Sequence, residues 1–572
     1  MREKRHLILF IYSLTACLLC FNLATGRLSF HLLSAPLLTT FQISWLSSLI
    51  PLKIVRNTVQ IIVGEFIICI CLVDCYCQLV FGSPISPQII SNVFLSNLRE
   101  TWEFLSVYVG TNNINQWRLV LLVLMSLSFP IVLLTNKWQL SAETTRKIRI
   151  PWIIILAICV VVEIPSTYRY YSIFFNNHRI DNIEGLIFRH YDEEKKTPLH
   201  RFVISSYTFA RSSDEHARIK LSTLSANIEQ CSYKSPHIVL IIGESYNKHH
   251  SSLYGYRLPT ATNQQRRMEN GELFPFTDAV TPWNITSNVF LNMFSMWESG
   301  CDNVFADYPL FPILFRKAGY AVSFFTNQYN FKGFNKGTTS QTGHFFLADR
   351  KLCDSLFSYR NEKSEKNDIG LAKQVESYKY GNNLSYTMDI IHLIGQHFDY
   401  SQRNTQKNRY FKIDDYEQLP IKKEEKLTVM HYDNATRYND IVLNDLLNLY
   451  EKEDAIIIYV PDHGEEVYDD LTVCGRLFQN PTITQAKYEY EVPMWIWCSE
   501  LYRENHPEVV SAITESVNKP FMTDLIPQLL LFLAGIECEW TEENSNILSD
   551  KYQCNPRIIN GDTDYDILMN SR

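Results

Sequence analysis

The first third of the chain is apolar in long unbroken blocks, whereas the rest alternates short apolar runs with helix-patterned, mixed stretches. No Asp, Glu, Lys or Arg occurs between Arg5 and Arg27, between Arg27 and Lys53, or between Arg118 and Lys137. Each gap is near the length that crosses a bilayer as a helix. Val59 to Phe81, despite Glu65 and Asp74, and Ile150 to about Tyr168, with Glu163 near its far end, predict two more spans. Residues 1–170 therefore read as a five-span transmembrane domain. Met1 to Arg5 also resembles the start of a cleaved signal peptide, but the four further spans favour anchoring. The N-terminus, the Lys53 to Arg56 turn and the Lys137 to Arg149 loop are basic, whereas Arg99 is the one basic residue of the 82–117 loop. Basic segments stay inside, so five spans place everything after residue 170 outside the membrane.

Within that outer loop, Ile90, Phe94, Leu98 and Leu105 recur at helical spacing, predicting an interfacial helix near 86–109. Residues 171–235 mix Phe174, Phe175, Ile187 and Phe188 with many charges and read as an interfacial bridging segment. From 236 to 572, β-rich runs at His237 to Ile242, Ala321 to Phe325, Asp389 to Ile394, Ala455 to Val460 and Val492 to Trp497 are separated by helical patterns. That alternation predicts an α/β domain around a central, largely parallel sheet. Helices are expected at Thr286 to Trp297, Tyr438 to Glu453 and Met522 to Ala534, and a surface insertion at Ser401 to Lys426.

A net charge of −8 without a Lys/Arg stripe argues against a nucleic-acid partner. Seven of the 14 cysteines lie in the apolar third and suit packing. Among the other seven, an oxidising compartment favours pairing of Cys301 with Cys353 and Cys538 with Cys554.

Two apolar runs end in residues that bind cations. Ala455 to Val460 is followed, after Pro461, by Asp462-His463-Gly464-Glu465-Glu466-Val467, and His237 to Ile242 by Gly243-Glu244-Ser245. Strand ends are where open α/β sheets place their chemistry. Glu244, Asp462 and His463 supply the carboxylate and imidazole donors that Zn²⁺ accepts, and Gly464 permits a sharp turn between them. The same Asp-His pair also suits a helix cap beside a surface histidine. Between the two runs, Thr286 stands where a loop becomes a helix. A helix N-terminus favours an alkoxide and the phosphate it attacks, and metal coordination would lower the hydroxyl pKa; Thr286 equally suits a simple cap.

Taken together, these segments resemble the membrane-anchored phosphoethanolamine transferases of the alkaline phosphatase and sulfatase superfamily. Gly243-Glu244-Ser245 with His250-Ser-Ser-Leu-Tyr-Gly-Tyr256, Thr286 seven residues before Met293-Phe294-Ser295, His392-Leu-Ile-Gly-Gln-His397, and Asp462-His463-Gly464-Glu465 are similar to four ordered family motifs. The resemblance implies that Glu244, Thr286, Asp462 and His463 hold one zinc ion, with Thr286 the nucleophile. It implies for His397 a second metal, the phosphate or protonation of the leaving group, jobs that suit imidazole. Asn327 and Lys332 fall where relatives contact the phosphoethanolamine group. Where many relatives keep a further histidine, this chain has Cys474-Gly475-Arg476, which puts a second zinc in doubt and offers Arg476 to phosphate oxygens. His392 reads as structural.

The implied reaction transfers phosphoethanolamine from phosphatidylethanolamine to lipid A, lipopolysaccharide core or a periplasmic glycan, through a phosphothreonine, at the outer face of a bacterial inner membrane. The alternatives are a glycerophosphate-type transferase, a sulfatase or phosphodiesterase of the same superfamily, and a non-catalytic envelope scaffold. Sulfatases need a Cys or Ser in a Cys/Ser-x-Pro/Ala-x-Arg setting, which the Thr286 segment lacks.

Overall fold

The computed structural model describes residues 2–20, 31–81, 116–135, 150–165, 197–328, 345–470, 474–476 and 481–571, except 152, 302, 383, 398–399 and 406–407, together with 85, 90 and 168. The expected interfacial helix near 86–109 and Lys332 lie outside the described residues. The chain divides into two compact units, Met1–Ser213 and Asp214–Arg572.

The first unit contains α1 (Arg2–Cys20), α2 (His31–Ser48), α3 (Lys53–Phe81), α4 (Gln116–Thr135) and α5 (Ile153–Pro165). Lys53–Cys77 and Trp117–Thr135 are long and apolar enough to cross a membrane; Leu7–Cys20 and Ile153–Pro165 are apolar but shorter. Ala16, Cys17, Ile67, Cys71, Cys75 and Leu122 pack together between helices, as do Leu9, Ile68, Phe129 and Leu133. Gly64 is required there, because a Cβ would come within 2.3 Å of the Phe129 ring. Acidic groups in the apolar helices find polar partners: Glu65 accepts from Ser126 at 2.6 Å, Asp74 pairs with Arg201, and Glu163 accepts from Ser34.

Where the sequence suggests a bridging segment up to residue 235, α6 (Pro198–Ser225) straddles the division at 213. Its last turns belong to the second unit. Ile219 enters that unit's core, and the Thr223 hydroxyl accepts from the Leu310 amide at 3.1 Å.

The second unit is built on seven strands: β1 (His237–Gly243), β2 (Leu273–Phe276), β3 (Ala321–Thr326), β4 (Tyr359–Arg360), β5 (Thr387–His392), β6 (Ala455–Pro461) and β7 (Met494–Cys498), in the spatial order β2-β7-β6-β1-β5-β3-β4. From β6 to β4 every pair is parallel. The run expected at Val492 to Trp497 forms β7 but runs antiparallel to β6, and β2, antiparallel to β7, returns to the sense of the other strands. The sheet is therefore mixed, with four of its six pairings parallel.

Strands buried on both faces need apolar side chains at every position, which explains their unbroken runs. Ile238, Leu240 and Ile242 of β1, with Ile456, Ile458 and Val460 of β6, face one core together with α7 (Thr286–Phe294) and α10 (Ile526–Ala534). Val239, Ile241, Ile457 and Tyr459 face the other, against α8 (Asp368–Gly381) and α9 (Lys423–Asn448). Each such side chain contributes on the order of 1.5–3 kcal/mol by burial. α9 is longer than the helix expected at Tyr438 to Glu453, and part of the predicted surface insertion is buried: Phe411 and Tyr416 pack with Tyr400, Val429, Tyr432 and Val467.

None of the 14 cysteines is joined in a disulfide, so the expected pairs Cys301–Cys353 and Cys538–Cys554 are not made. Cys353 accepts from Arg360 at 3.3 Å, Cys538 meets the Thr541 hydroxyl at 3.4 Å, and Cys554 donates to the Asn555 carbonyl at 3.3 Å.

Candidate active site

Register fixes where the site lies. β1 is central, pairing Ile242 with His392 on one side and Gly243 with Pro461 on the other. Glu244, the 393–397 turn and Asp462-His463 therefore leave the sheet together at the C-terminal ends of three adjacent parallel strands. The bend after β1 uses Ser245 with φ 54°, an uncommon conformation for a non-glycine residue. Gly395, with φ 43°, lets the β5 turn press on Glu244, since a Cβ would lie 2.9 Å from its backbone. Gly464 serves a different purpose from the one expected. It does not adopt positive φ, but a Cβ would come 2.2 Å from the Tyr488 carbonyl oxygen.

Glu244, Asp462 and His463 are fully buried and offer ligand atoms that all lie within 4.8 Å of one another. The Thr286 hydroxyl, at the first residue of α7, donates to Glu244 Oε2 at 3.4 Å and stands 3.3 Å from His463 Nε2. Asp462 Oδ1 accepts the Ser245 and His463 amides at 3.1 and 2.8 Å. Its Oδ2 is buried without a hydrogen-bond partner, 3.2 Å from His463 Nε2. A buried carboxylate oxygen in that position suits a cation ligand. His463 Nδ1 is 2.7 Å from the Gly464 carbonyl, an acceptor; the proton therefore sits on Nδ1 and the Nε2 lone pair points into the cluster.

Electrostatics follow from burial and crowding. Burial, then Glu244, pushes Asp462 well above the usual carboxylate range. Burial, reinforced by Arg476, lowers His463 to about 3, leaving it neutral and able to ligate. Burial would raise Glu244, but His463, Arg476 and His397 outweigh it and hold it at about 2. Burial also raises Glu465. Such a pattern is typical of reactive or metal-binding clusters.

The structure thus brings Glu244, Thr286, Asp462 and His463 together. Arg476 joins them: Nη1 stands 2.6 Å from His463 Nε2 and donates to the Asn284 carbonyl at 2.9 Å, and Nε lies 3.3 Å from Glu465 Oε2. His397 is exposed at the end of the turn after β5, near enough to act on both Glu244 and His463. Asn327 is not directed at the threonine. Its amide donates to Asp368 at 2.9 Å and its oxygen accepts the Glu365 amide at 2.5 Å, so it ties the β3 end to α8. His392 is buried against the Phe290 ring and meets the Thr326 hydroxyl at 3.1 Å.

Three neighbours escaped sequence reasoning. Gln328 donates to Glu244 Oε2 at 2.7 Å and to the Leu393 carbonyl at 3.0 Å; its only signal was adjacency to Asn327 at a strand end. Tyr400 donates to Glu465 at 2.9 Å, and buried Glu489 accepts from Asn284 at 2.5 Å. That last bond also buries the asparagine of a potential glycosylation sequence.

The profile of the sulfatase family matches residues 236–536. The chain is 23% identical over 519 residues to the phosphoethanolamine transferase EptC of Escherichia coli (strain K12), covering 86% of this chain and 84% of that protein. Its fold is similar to the integral membrane lipooligosaccharide phosphoethanolamine transferase A of Neisseria meningitidis, with a TM-score of 0.57 at 17% identity, over 95% of this chain and 97% of that one. It is also similar to the C-terminal periplasmic domain of EptC from Escherichia coli in complex with Zn, with a TM-score of 0.52 at 23% identity, over 60% and 96% of the two chains.

Proposed function

The chain belongs to the sulfatase family, and from that premise we propose that it is a phosphoethanolamine transferase acting at the outer face of a bacterial inner membrane. The observation that carries this reading is the Thr286 hydroxyl, set at a helix start between Glu244 and His463 at 3.4 and 3.3 Å. Its relatives' names supply the transferred group. The donor is phosphatidylethanolamine, and the acceptor is an oxygen of lipid A, lipopolysaccharide core or a periplasmic glycan. Helices α1 to α5 act as membrane spans whose outward Trp45, Ile62, Leu127 and Ile154 face lipid.

Glu244, Thr286, Asp462 and His463 would hold a zinc ion, with the free Asp462 oxygen and the neutral imidazole as matched donors. Bound there, the ion supplies Lewis acidity for the threonine oxygen and for charge on the phosphate. In the first step, Thr286 Oγ1 releases its proton to solvent and attacks phosphorus, the bond to the diacylglycerol oxygen breaks, and that oxygen leaves with its electron pair. His397, exposed beside the cluster, donates the proton it needs. In the second, the acceptor hydroxyl oxygen attacks the phosphothreonine and gives its proton to His397, and the threonine oxygen departs with its electron pair and regains a proton from solvent. The N-terminus of α7 stabilises the anionic oxygens in both.

Gln328 and Ser245 hold Glu244 in place through 2.7 Å hydrogen bonds to its two oxygens, while Arg476 and Lys332 are assigned to the substrate phosphate. The test uses a phosphatidylethanolamine donor labelled in the ethanolamine. The expected products are free diacylglycerol, an adduct of ethanolamine phosphate on Thr286, and labelled envelope glycolipid. Water as the sole acceptor identifies a hydrolase instead, and transfer of glycerol phosphate identifies the polymerase branch.

A further inference from the structure

Resting on that reading, we propose that Arg476 is the second cation of this centre: a fixed guanidinium that balances the buried carboxylates beside a single divalent ion and grips oxygens of the transferring phosphate. Glu244, Asp462, Glu465 and Glu489, all nearly inaccessible to solvent, act on this one guanidinium. One divalent ion leaves part of that charge unbalanced, and unpaired buried carboxylates are strongly unfavourable. Among the described residues, Glu244, Asp462 and His463 are the one group able to hold an ion, so a second ion has no comparable donor set there.

The arginine reaches its place through a hairpin. Cys474 pairs with Val467 and Gly475 with Glu466, antiparallel, which returns residue 476 beside Glu465. Gly475, with φ 111°, shapes the strand just before it. Nε is then held by Glu465 and Nη1 by the Asn284 carbonyl, whose own amide is fixed on Glu489. Nη1 also faces the one lone pair of His463 Nε2 at 2.6 Å. That lone pair serves a single partner, so the guanidinium and a divalent ion compete for it. With the ion in place, the freed donor turns toward an anion over Thr286, where the guanidinium fork matches two phosphate oxygens.

The test equilibrates the detergent-solubilised full chain with zinc, then measures bound metal by mass spectrometry and affinity by chelator competition for wild type, Arg476→Gln and Arg476→Lys. One zinc per chain is expected in all three. Arg476→Gln should bind zinc at least about 10-fold more tightly, having lost both a competitor and a positive charge, while kcat falls on the order of 100-fold. Arg476→Lys, which keeps the charge and guards against misfolding of the glutamine variant, should raise the donor KM several-fold with a smaller loss in kcat. Two zinc ions in the wild type, zinc affinity unchanged or weaker in Arg476→Gln, or unaltered kinetics in Arg476→Lys would each overturn the proposal. Transfer of labelled ethanolamine phosphate by the wild type separates that failure from failure of the transferase reading.

Discussion

Replacing Asp462 by asparagine separates the two tasks of that carboxyl. Oδ1 accepts the Ser245 and His463 amides, and an amide oxygen keeps both bonds. Oδ2 has no partner and belongs to a group whose ligand atoms lie within 4.8 Å of one another, so the substitution removes charge with little change of shape. Two full charges at that separation repel by about 3 kcal/mol at an effective dielectric near 20. This is an upper bound, because burial and Glu244 already weaken the Asp462 acid. Without metal, Asp462→Asn should therefore be more stable than wild type, with a thermal midpoint higher by a few degrees. With zinc the order reverses. A free ion a thousandfold above its Kd stabilises the wild type by about 4 kcal/mol, whereas the variant, short of one anionic ligand, gains little. Calorimetry in chelator and in zinc reads both differences. An equal zinc-induced rise in the two proteins, or a lower midpoint for the variant in chelator, would refute a cation site at Oδ2.

Thr286→Ala loses the hydroxyl's contacts to Glu244 and His463, so its thermal midpoint should stay within about 2 °C of wild type while diacylglycerol release falls at least about 1,000-fold; retained release with a normal midpoint excludes the threonine as nucleophile. Gly464→Ala drives a methyl into the Tyr488 carbonyl at 2.2 Å and should cost about 2 kcal/mol or more in chemical denaturation, with loss of zinc binding. His250 lies between Asp433 and Asp469 at 2.6 and 3.1 Å; burial lowers its pKa, but Asp469 and Asp433 prevail and raise it to about 10. A folded pKa above the unfolded one gives stability that is complete below about 6.5 and is lost as pH rises toward 10. Stability measured across pH 6.5 to 10 should decline in the wild type and decline less in His250→Gln, and parallel profiles would show that the imidazolium is not held by the two aspartates.

Legibility in the sequence followed how local each determinant is. β1 and β6 could be read because burial on both faces demands an unbroken apolar run, visible in His237 to Gly243 and Ala455 to Pro461. An apolar run carries no direction, however, so the sense of β7 was hidden. Parallel return needs a long crossover, and the described part of the connection from Pro461 to Met494 holds a hairpin and short helical turns instead. β2 escaped notice because Leu-Phe-Pro-Phe breaks strand patterning, but Pro275 is tolerable at the sheet edge that β2 occupies. The same division runs through the site. Glu244, Asp462 and His463 are placed by strand ends and Thr286 by a helix start, so residue type and local pattern nominate them. Gln328 and the Arg476 pair with Glu465 depend instead on which strand lies beside which and on a hairpin register, and neither leaves a mark in spacing. Asn327 shows the cost of arguing from neighbourhood alone: one residue along the backbone separates an amide that fastens α8 from the Gln328 amide that touches Glu244. A substitution pair at these adjacent positions distinguishes the two roles, since Asn327→Ala should lower stability with zinc affinity little changed, and Gln328→Ala should do the reverse.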